Sequence, residues 1–148
     1  MKIQKASLKD LNECSKLSHI KEFSALYKLS NSEAKKYLKP FIENGIFLVA
    51  KKKEIIIGFI CAEFTLSNYV WVDAIVVEKN YRSKGVGRLL FSEMEKQAKK
   101  KGFGNIFLVV PKFNKPSVEF YKSMKMSKGN ECVEFSKVIK QKLINNNS

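Results

Sequence analysis

The chain has 148 residues, a length typical of one domain, and we expect residues 1–148 to form a single unit around one core. Hydrophobic residues make up 45% of the composition, which excludes an intrinsically disordered chain. The longest apolar run, Ile55 to Ala62, is far shorter than the about 20 residues that span a bilayer, so we expect no membrane segment.

The formal net charge of +14 gives the chain a field that attracts anions such as nucleotides, nucleic acid or acidic proteins. Lysine supplies almost all of the positive charge, and asparagine is also abundant, which is typical of a biased genome composition. We therefore interpret most of the charge as solvated surface, and a nucleic-acid partner is not favoured.

Cysteine and histidine usage excludes several kinds of site. Cys14, Cys61 and Cys132 are far apart in the sequence, and His19 is the sole histidine. A structural zinc site needs four nearby ligands, so we predict no metal site. Unpaired cysteines and an N-terminus without an apolar signal core indicate a reducing, cytoplasmic compartment.

The first half of the chain is expected to fold as β-α-α-β-β-β. A short first strand contains Ile3 and Ala6, and Ser7 with Asp10 has the pattern of a capping box at the start of a helix. A second helix begins near Asn31-Ser32-Glu33 and continues towards Asn44, and Pro40 inside it predicts a kink or two helical pieces. Three strands of an antiparallel meander follow: Ile46 to Ala50, Glu54 to Leu66 and Tyr69 to Val77.

The second half continues as α-β-α-β, which makes the whole chain a mixed α/β fold. A polar loop from Glu78 to Gly87 leads into this half. We then expect a helix over Arg88 to Lys101 and a strand over Asn105 to Val110. A helix over Ser117 to Met124 and a strand over Glu131 to Ile139 complete the prediction. The strand after the first of these helices is continuously apolar, so we expect it to be buried on both faces. Residues 69–110 then form a right-handed βαβ unit.

The loop between the strand and the helix carries the pattern Arg82-x-x-Gly85-x-Gly87. Glycines allow backbone N–H groups to point into one concavity, and the helix start adds free amides and a positive dipole. Lys84 and Arg88 add cationic side chains, and both arginines of the chain lie at this loop. These features predict a phosphate-binding cradle.

Two better-known phosphate motifs do not fit this loop. The dinucleotide fingerprint needs a third glycine where this chain has Leu90, and a P-loop needs Lys-Ser or Lys-Thr where it has Arg88-Leu89. The pattern Val77-x-x-x-x-Arg82-x-x-Gly85-x-Gly87, placed between a strand and a helix, instead resembles the first conserved block of the GNAT-type acetyltransferases.

A second block supports the same resemblance, because Asn114-x-x-Ser117-x-x-Phe120-Tyr121 is similar to the next conserved block of that family. The element order also fits, so the resemblance covers nearly the whole chain. It implies a mostly antiparallel central sheet with a splayed βαβ cofactor unit, flanked by about four helices. Two departures are Lys125-Met126, where the family has Gly-Phe, and Ser83, where a glycine is common.

The resemblance implies that acetyl-CoA (coenzyme A) is the cofactor. In this family the loop binds the pyrophosphate, the strand before it pairs with the pantetheine arm, and the asparagine of the second block contacts that arm. The cofactor-binding residues implied here are Ile75, Val76, Val77, Arg82, Ser83, Lys84, Gly85, Val86, Gly87, Arg88 and Asn114.

The implied reaction is N-acetyl transfer to a primary amine by direct attack in a ternary complex. By resemblance Tyr121 lies beside the thioester sulfur and acts as general acid, and the backbone amide of Val76 holds the oxyanion. Asp73, the only acid in an otherwise apolar strand, is the candidate base. Glu63 on the neighbouring strand is the rival base, and a third alternative is that proximity alone supplies the rate.

The acceptor stays open at this stage between a protein N-terminus, a lysine, a polyamine and an aminoglycoside. The family's acceptor side matches the segment Ile20 to Ser30, where Phe23 and Tyr27 are candidates for a lid. The positive charge favours an acidic acceptor over a polycation. A homodimer fits the resemblance, since dimers are common in the family, and the alternatives are a coenzyme A sensor without turnover and a basic nucleic-acid-binding module.

Overall fold

A five-stranded mixed sheet forms the centre of the computed structural model, which describes residues 1–19 and 28–139. The strands are β1 (Lys2–Lys5), β2 (Ile46–Lys52), β3 (Ile55–Phe64), β4 (Tyr69–Val77) and β5 (Asn105–Phe107). The helices described are α1 (Leu11–Leu17), α2 (Asn31–Asn44), α3 (Val86–Lys100) and α4 (Lys115–Ser123). Strands β1 to β4 pair antiparallel in chain order, and β5 lies parallel to β4. The mixed α/β class and the antiparallel meander are therefore confirmed.

Both faces of the sheet are covered by apolar side chains. On one face a cluster that includes Ile60 and Leu90 packs between the sheet and α3. On the other face a cluster that includes Cys14, Leu38 and Phe59 packs against α1 and α2. Within the described part of the chain, no helix has both the length and the apolar character needed to cross a bilayer.

The two capping boxes that the sequence predicts are present, the first at a 3-10 turn, Leu8–Asp10, that leads into α1, and the second at the start of α2. The Ser7 N–H donates to Asp10 Oδ2 at 2.8 Å, and the Ser30 N–H donates to Glu33 Oε2 at 2.7 Å. Helix α2 continues through Pro40 without a break, so the expectation of two helical pieces is wrong. Burial of Leu38 in the core explains the continuity, because tertiary packing outweighs the hydrogen bond that proline cannot make.

A β-bulge in the middle of β4 determines which way its second half faces. Cys61 pairs with Ala74 and Ala62 pairs with Val72, so Asp73 is an extra residue in the ladder. Val72 packs in the α3-side cluster, whereas Ala74 packs in the cluster beneath α1 and α2. Residues two apart on a regular strand share a face, so the bulge turns β4 over at this point.

The strand expected from Asn105 to Val110 is only partly formed, and the expectation that it is buried on both faces is wrong. Strand β5 ends at Phe107, whose exposed fraction is 52%, and Val109 is 73% exposed. The reason is its position, because β5 pairs only with the first residues of β4 and has no strand on its other side among the described residues.

The strand expected over Glu131 to Ile139 is also wrong, because that segment has no regular secondary structure. Val133 is 78% exposed and Phe135 is 90% exposed. Their alternation matches the period of a strand, yet a strand also needs a hydrogen-bonding neighbour, and no other described strand pairs with this segment.

Candidate functional site

A cleft opens where β4 and the chain after β5 separate. Pairing between the two strands ends at Trp71 and Phe107, so the second half of β4 has no neighbour on this side in the described chain. The residues that line this open cleft are Val72, Asp73, Ala74, Ile75, Leu108, Val109, Val110, Pro111, Asn114, Ser117 and Tyr121. The splayed βαβ unit that the resemblance implied is therefore present.

The hydrogen-bond alternation of β4 shows which backbone groups face this cleft. The Glu78 N–H donates to the Ile57 carbonyl of β3 at 2.9 Å. The N–H and C=O of one residue point to the same side of a strand, and the side alternates along it. The register places Val76 opposite Phe59, so its backbone groups are directed to β3 in the same way as those of Glu78.

Ile75 and Val77 consequently direct their backbone groups to the free edge of β4. The contact of the Arg82 Nε with the Val77 carbonyl at 3.1 Å lies on that edge and agrees with this orientation. The expectation that the Val76 amide faces the cofactor and holds the oxyanion is therefore wrong. The amide of Ile75, which also lines the cleft, takes its place as the candidate donor.

The predicted cradle contains two residues in the left-handed conformation. Gly85 has φ of 81° and ends the loop, and the Leu89 N–H donates to its carbonyl at 3.0 Å as the first helical hydrogen bond. Ser83 has φ of 57°, a conformation that costs a non-glycine residue about 1–2 kcal/mol. The glycine that the family commonly has at this position would avoid that cost.

Helix α3 begins at Val86, two residues earlier than expected, so Gly87 lies in its first turn instead of the loop. A Cβ on Gly87 would lie 3.4 Å from Cζ of Phe120, which shows how closely α4 approaches here. The first N–H groups of a helix have no acceptor within it, and among the described residues no side chain caps this start. The amides at this end are thus available to an anion.

Both arginines near the cradle have structural contacts. Arg88 donates from Nη2 to Ser123 Oγ at 3.1 Å, which ties the start of α3 to the end of α4. Arg82 donates to the end of β4, as described above. Lys84 is exposed, with its Nζ 5.8 Å from the centroid of the Tyr81 ring. The arginines hold the elements around the cradle together, and the lysine presents its charge at the surface.

Helix α4 brings two of the expected residues to the cleft. Asn114 caps this helix, because its Oδ1 accepts from the Ser117 N–H at 3.3 Å. Tyr121 packs against Phe91 and Phe120, with ring centroids 6.2 and 5.2 Å away. Burial raises the pKa of Tyr121 above its ordinary value of 10.0, so its hydroxyl remains a hydrogen-bond donor at neutral pH.

Asp73 is held by a residue that the sequence did not point to. Tyr37 Oη on α2 donates to Asp73 Oδ1 at 2.7 Å. Burial, followed by repulsion from Glu63, raises the pKa of Asp73, and the Tyr37 hydrogen bond only partly opposes this shift. The two partners are 36 residues apart, so neither helical spacing nor a motif could have connected them.

The structure describes Glu63, the rival base, but it does not describe the two residues of the predicted lid. Glu63 is exposed and lines a neighbouring hollow with Phe41 and Phe64, whereas Asp73 lines the cleft itself. Phe23 and Tyr27 lie outside the described residues, so the lid stays a prediction.

Comparisons with known proteins agree with this geometry. The model of the acetyltransferase (GNAT) family matches residues 12–126, which is more than three quarters of the chain. The PaiA N-acetyltransferase from Thermoplasma acidophilum, solved in complex with coenzyme A, is 24% identical over 83% of this chain and 87% of its own, with a TM-score of 0.71.

Two more solved structures share the fold at lower identity. The ribosomal-protein-S18-alanine N-acetyltransferase from Escherichia coli is 17% identical over 87% of this chain and 79% of its own, with a TM-score of 0.73. An aminoglycoside antibiotic 6'-N-acetyltransferase from Acinetobacter haemolyticus is 19% identical over 95% of this chain and its own full length, with a TM-score of 0.78. The likeness to these proteins is a likeness of fold.

Proposed function

The chain belongs to the acetyltransferase (GNAT) family, and from that premise we propose that it transfers an acetyl group from acetyl-CoA to a primary amine by direct attack in a ternary complex. The observation that carries the proposal is the cleft beside β4. Its β4 side offers the free-edge backbone of Ile75 and Val77, and the loop after β4 ends at the uncapped start of α3.

The residues present fit coenzyme A. The amides of Ser83 to Arg88 would bind the diphosphate, because the left-handed Gly85 and the helix start direct donors to one side. Ile75 and Val77 would pair with the amides of the pantetheine arm as a neighbouring strand does. Asn114 lines the same cleft. When bound, acetyl-CoA supplies an acyl group that is activated as a thioester.

Asp73 is the base in this proposal. An amine must lose a proton to be nucleophilic, and a carboxylate whose pKa is raised by burial accepts that proton better than an ordinary aspartate does. Glu63 is less suited, since it is exposed and lines the neighbouring hollow instead of the cleft. The alternative without a base, in which proximity alone supplies the rate, predicts that Asp73 can be neutralised at little cost.

Ile75 and Tyr121 stabilise the negative charge that develops in the reaction. The Ile75 N–H is the oxyanion donor, because it is directed to the free edge of β4 and its residue lines the cleft. Tyr121 Oη–H donates a hydrogen bond to the departing sulfur. A thiol has a pKa of about 8.5, so full proton transfer from a tyrosine whose pKa is raised is unfavourable, whereas hydrogen-bond donation is not.

Two measurements test the proposal in sequence. Isothermal titration calorimetry with acetyl-CoA should show saturable binding, and free-thiol release should then follow with at least one member of a panel of peptide, lysine, polyamine and aminoglycoside amines. If no heat or thermal shift appears at millimolar acetyl-CoA, the enzyme and the sensor are both excluded. Binding without thiol release from any amine identifies a sensor and overturns catalysis.

A further inference from the structure

The hydrogen bond between Tyr37 and Asp73 joins α2 to the bulge of β4. Asp73 is the extra residue of that bulge, so the ladder does not fix its side chain in the way that it fixes its neighbours'. Tyr37 Oη donates to Oδ1 at 2.7 Å, a distance within the range of hydrogen bonds from a hydroxyl to a carboxylate. The side chain of Asp73 is therefore oriented by a residue on another element.

In the described part of the chain, the second carboxylate oxygen of Asp73, Oδ2, remains available to accept a hydrogen bond from a substrate. Among residues 1–19 and 28–139, Tyr37 is the donor to Oδ1, and no described donor binds Oδ2. Asp73 also lines the cleft that contains Tyr121, the candidate donor to the sulfur. Tyr37 itself is 42% exposed, and its hydroxyl donates to a residue that lines the cleft.

We propose that Tyr37 is a positioning residue for the acetyl transfer: it fixes Oδ1 of Asp73, leaves Oδ2 to face the acceptor amine and favours the ionised, proton-accepting carboxylate. This inference rests on the proposed function, because it gives Tyr37 a role only through the base. Tyr37 itself need not touch either substrate.

The surroundings of Asp73 show why Tyr37 has this influence. The titratable groups that face Asp73 are Tyr37 on α2, Cys61 and Glu63 on β3, and Tyr121 on α4 across the cleft. No cation is among these described groups. Burial raises the pKa of the Cys61 thiol and keeps it neutral, and Glu63 disfavours the Asp73 anion. The Tyr37 hydroxyl is thus the described side chain that lowers the pKa of Asp73.

The first test is the pH dependence of kcat/KM in Tyr37→Phe. Loss of the Tyr37 hydroxyl raises the pKa of Asp73, so the acidic limb of the kcat/KM profile should move to higher pH by about one unit. The value of kcat/KM on the alkaline plateau should stay within about threefold of wild type. Tyr69→Phe, which removes a hydroxyl from the start of the same strand, is the matched control and should leave the limb in place. An unmoved limb in Tyr37→Phe overturns the proposal.

A double-mutant comparison separates positioning from a structural role. At a pH on the acidic limb, where Tyr37→Phe alone lowers kcat/KM, the same substitution in an Asp73→Asn background should cause no further loss, because the residue acts through a carboxylate that is already gone. An additional loss of tenfold or more in that background would show that Tyr37 acts independently of Asp73. If the acidic limb survives in Asp73→Asn, it belongs to the acceptor amine, and the inference is overturned.

A measurement without turnover keeps this inference distinct from the proposed function. The pKa of Asp73, followed by NMR of its side-chain carboxyl carbon in the cofactor-free protein, should be higher in Tyr37→Phe than in wild type. Where Tyr37→Phe does not fold, site-specific 3-fluorotyrosine at position 37, a stronger donor of similar shape, should lower that pKa. An unchanged value overturns the inference whether or not the protein acetylates any amine.

Discussion

The second half of β4 has two sides that present different chemical groups. Its free edge presents backbone N–H and C=O groups, whereas the side that faces α2 presents side chains. On the free edge, the backbone of Ile75 and Val77 is directed away from β3, Ile75 lines the cleft, and the loop continues into a helix start that no described side chain caps. The side that faces α2 carries one carboxylate, Asp73, and the Tyr37 hydroxyl that donates to it. In the proposed function, the side that binds the acetyl donor is thus mainly backbone, and the side that binds the acceptor is mainly side chain.

This difference explains how each side can change. A backbone site depends on conformation, so almost any side chain is tolerated there provided that φ and the helix start are kept. A side-chain site changes with a single substitution that leaves the fold intact. In the proposed function, substitutions on the acceptor side can therefore change the amine that is accepted while the backbone that binds coenzyme A stays the same.

The largest expected effect is on the side-chain half of the site. Asp73→Asn removes the base, so kcat should fall about 100- to 10 000-fold, whereas the affinity for acetyl-CoA should stay within about threefold because the backbone half is unchanged. Steady-state kinetics and calorimetry on the same preparation measure the two quantities.

Glu63→Gln is the matched control for that prediction. It removes a carboxylate from the neighbouring strand, and kcat should change by less than about threefold. Glu63 raises the pKa of Asp73 by repulsion, so the acidic limb should move slightly to lower pH in this variant. If Glu63→Gln causes the larger loss, Glu63 is the base, and the assignment of Asp73 is wrong.

A smaller effect is expected at Tyr121. Tyr121→Phe removes one charge-assisted hydrogen bond to the departing sulfur, which corresponds to a loss of about 10- to 100-fold in kcat with coenzyme A affinity retained. Because burial raises the pKa of Tyr121, wild type should show no alkaline limb from this residue, and the loss should be the same across the range from about pH 6 to 9. Equal activity of the variant would remove Tyr121 from the mechanism.

The smallest effect is expected in the part of the site that the backbone forms, at Gly85. Gly85 and Gly102 stand at opposite ends of α3, with φ of 81° and 86°, and a Cβ at either position meets no atom within 4 Å. Alanine at either position should cost about 1 kcal/mol of stability through the left-handed conformation. Only Gly85→Ala should also weaken acetyl-CoA binding, by about tenfold, because only that strain shifts the cradle amides. Equal affinities in the two variants would place the diphosphate elsewhere.

The sequence predicted the local structure around Gly85 well, because a strand, a loop and a helix that follow one another are local features. The strand, the glycines and the helix that follow one another around Gly85 are read from neighbouring residues, and only the boundary at Gly87 was misplaced. Asn114 and the cap of α4 were likewise predictable from adjacent positions. Conformation within one segment is determined mainly by nearby residues, so a motif describes it.

The features that the sequence could not predict depend on contacts between distant segments of the chain. The bulge at Asp73 exists only in the register of β4 against β3, and it decides that Ile75 and not Val76 faces the cleft. Tyr37 meets Asp73 only because α2 packs over that part of the sheet. In the same way, the apolar alternation after Glu131 does not reveal whether a neighbouring strand is available.

Amide hydrogen exchange, followed by NMR of the free protein and of the protein with coenzyme A or acetyl-CoA, shows whether the cofactor pairs with the free edge of β4. We predict that the N–H groups of Ile75 and Val77 exchange rapidly in the free protein, that coenzyme A protects those of Val77, Val86 and Gly87, and that acetyl-CoA, whose acyl oxygen faces Ile75, protects the Ile75 N–H as well. The Val76 N–H should be protected whether or not the cofactor is bound. Protection of Val76 alone on binding, or no change along β4 at saturating coenzyme A, would contradict this prediction.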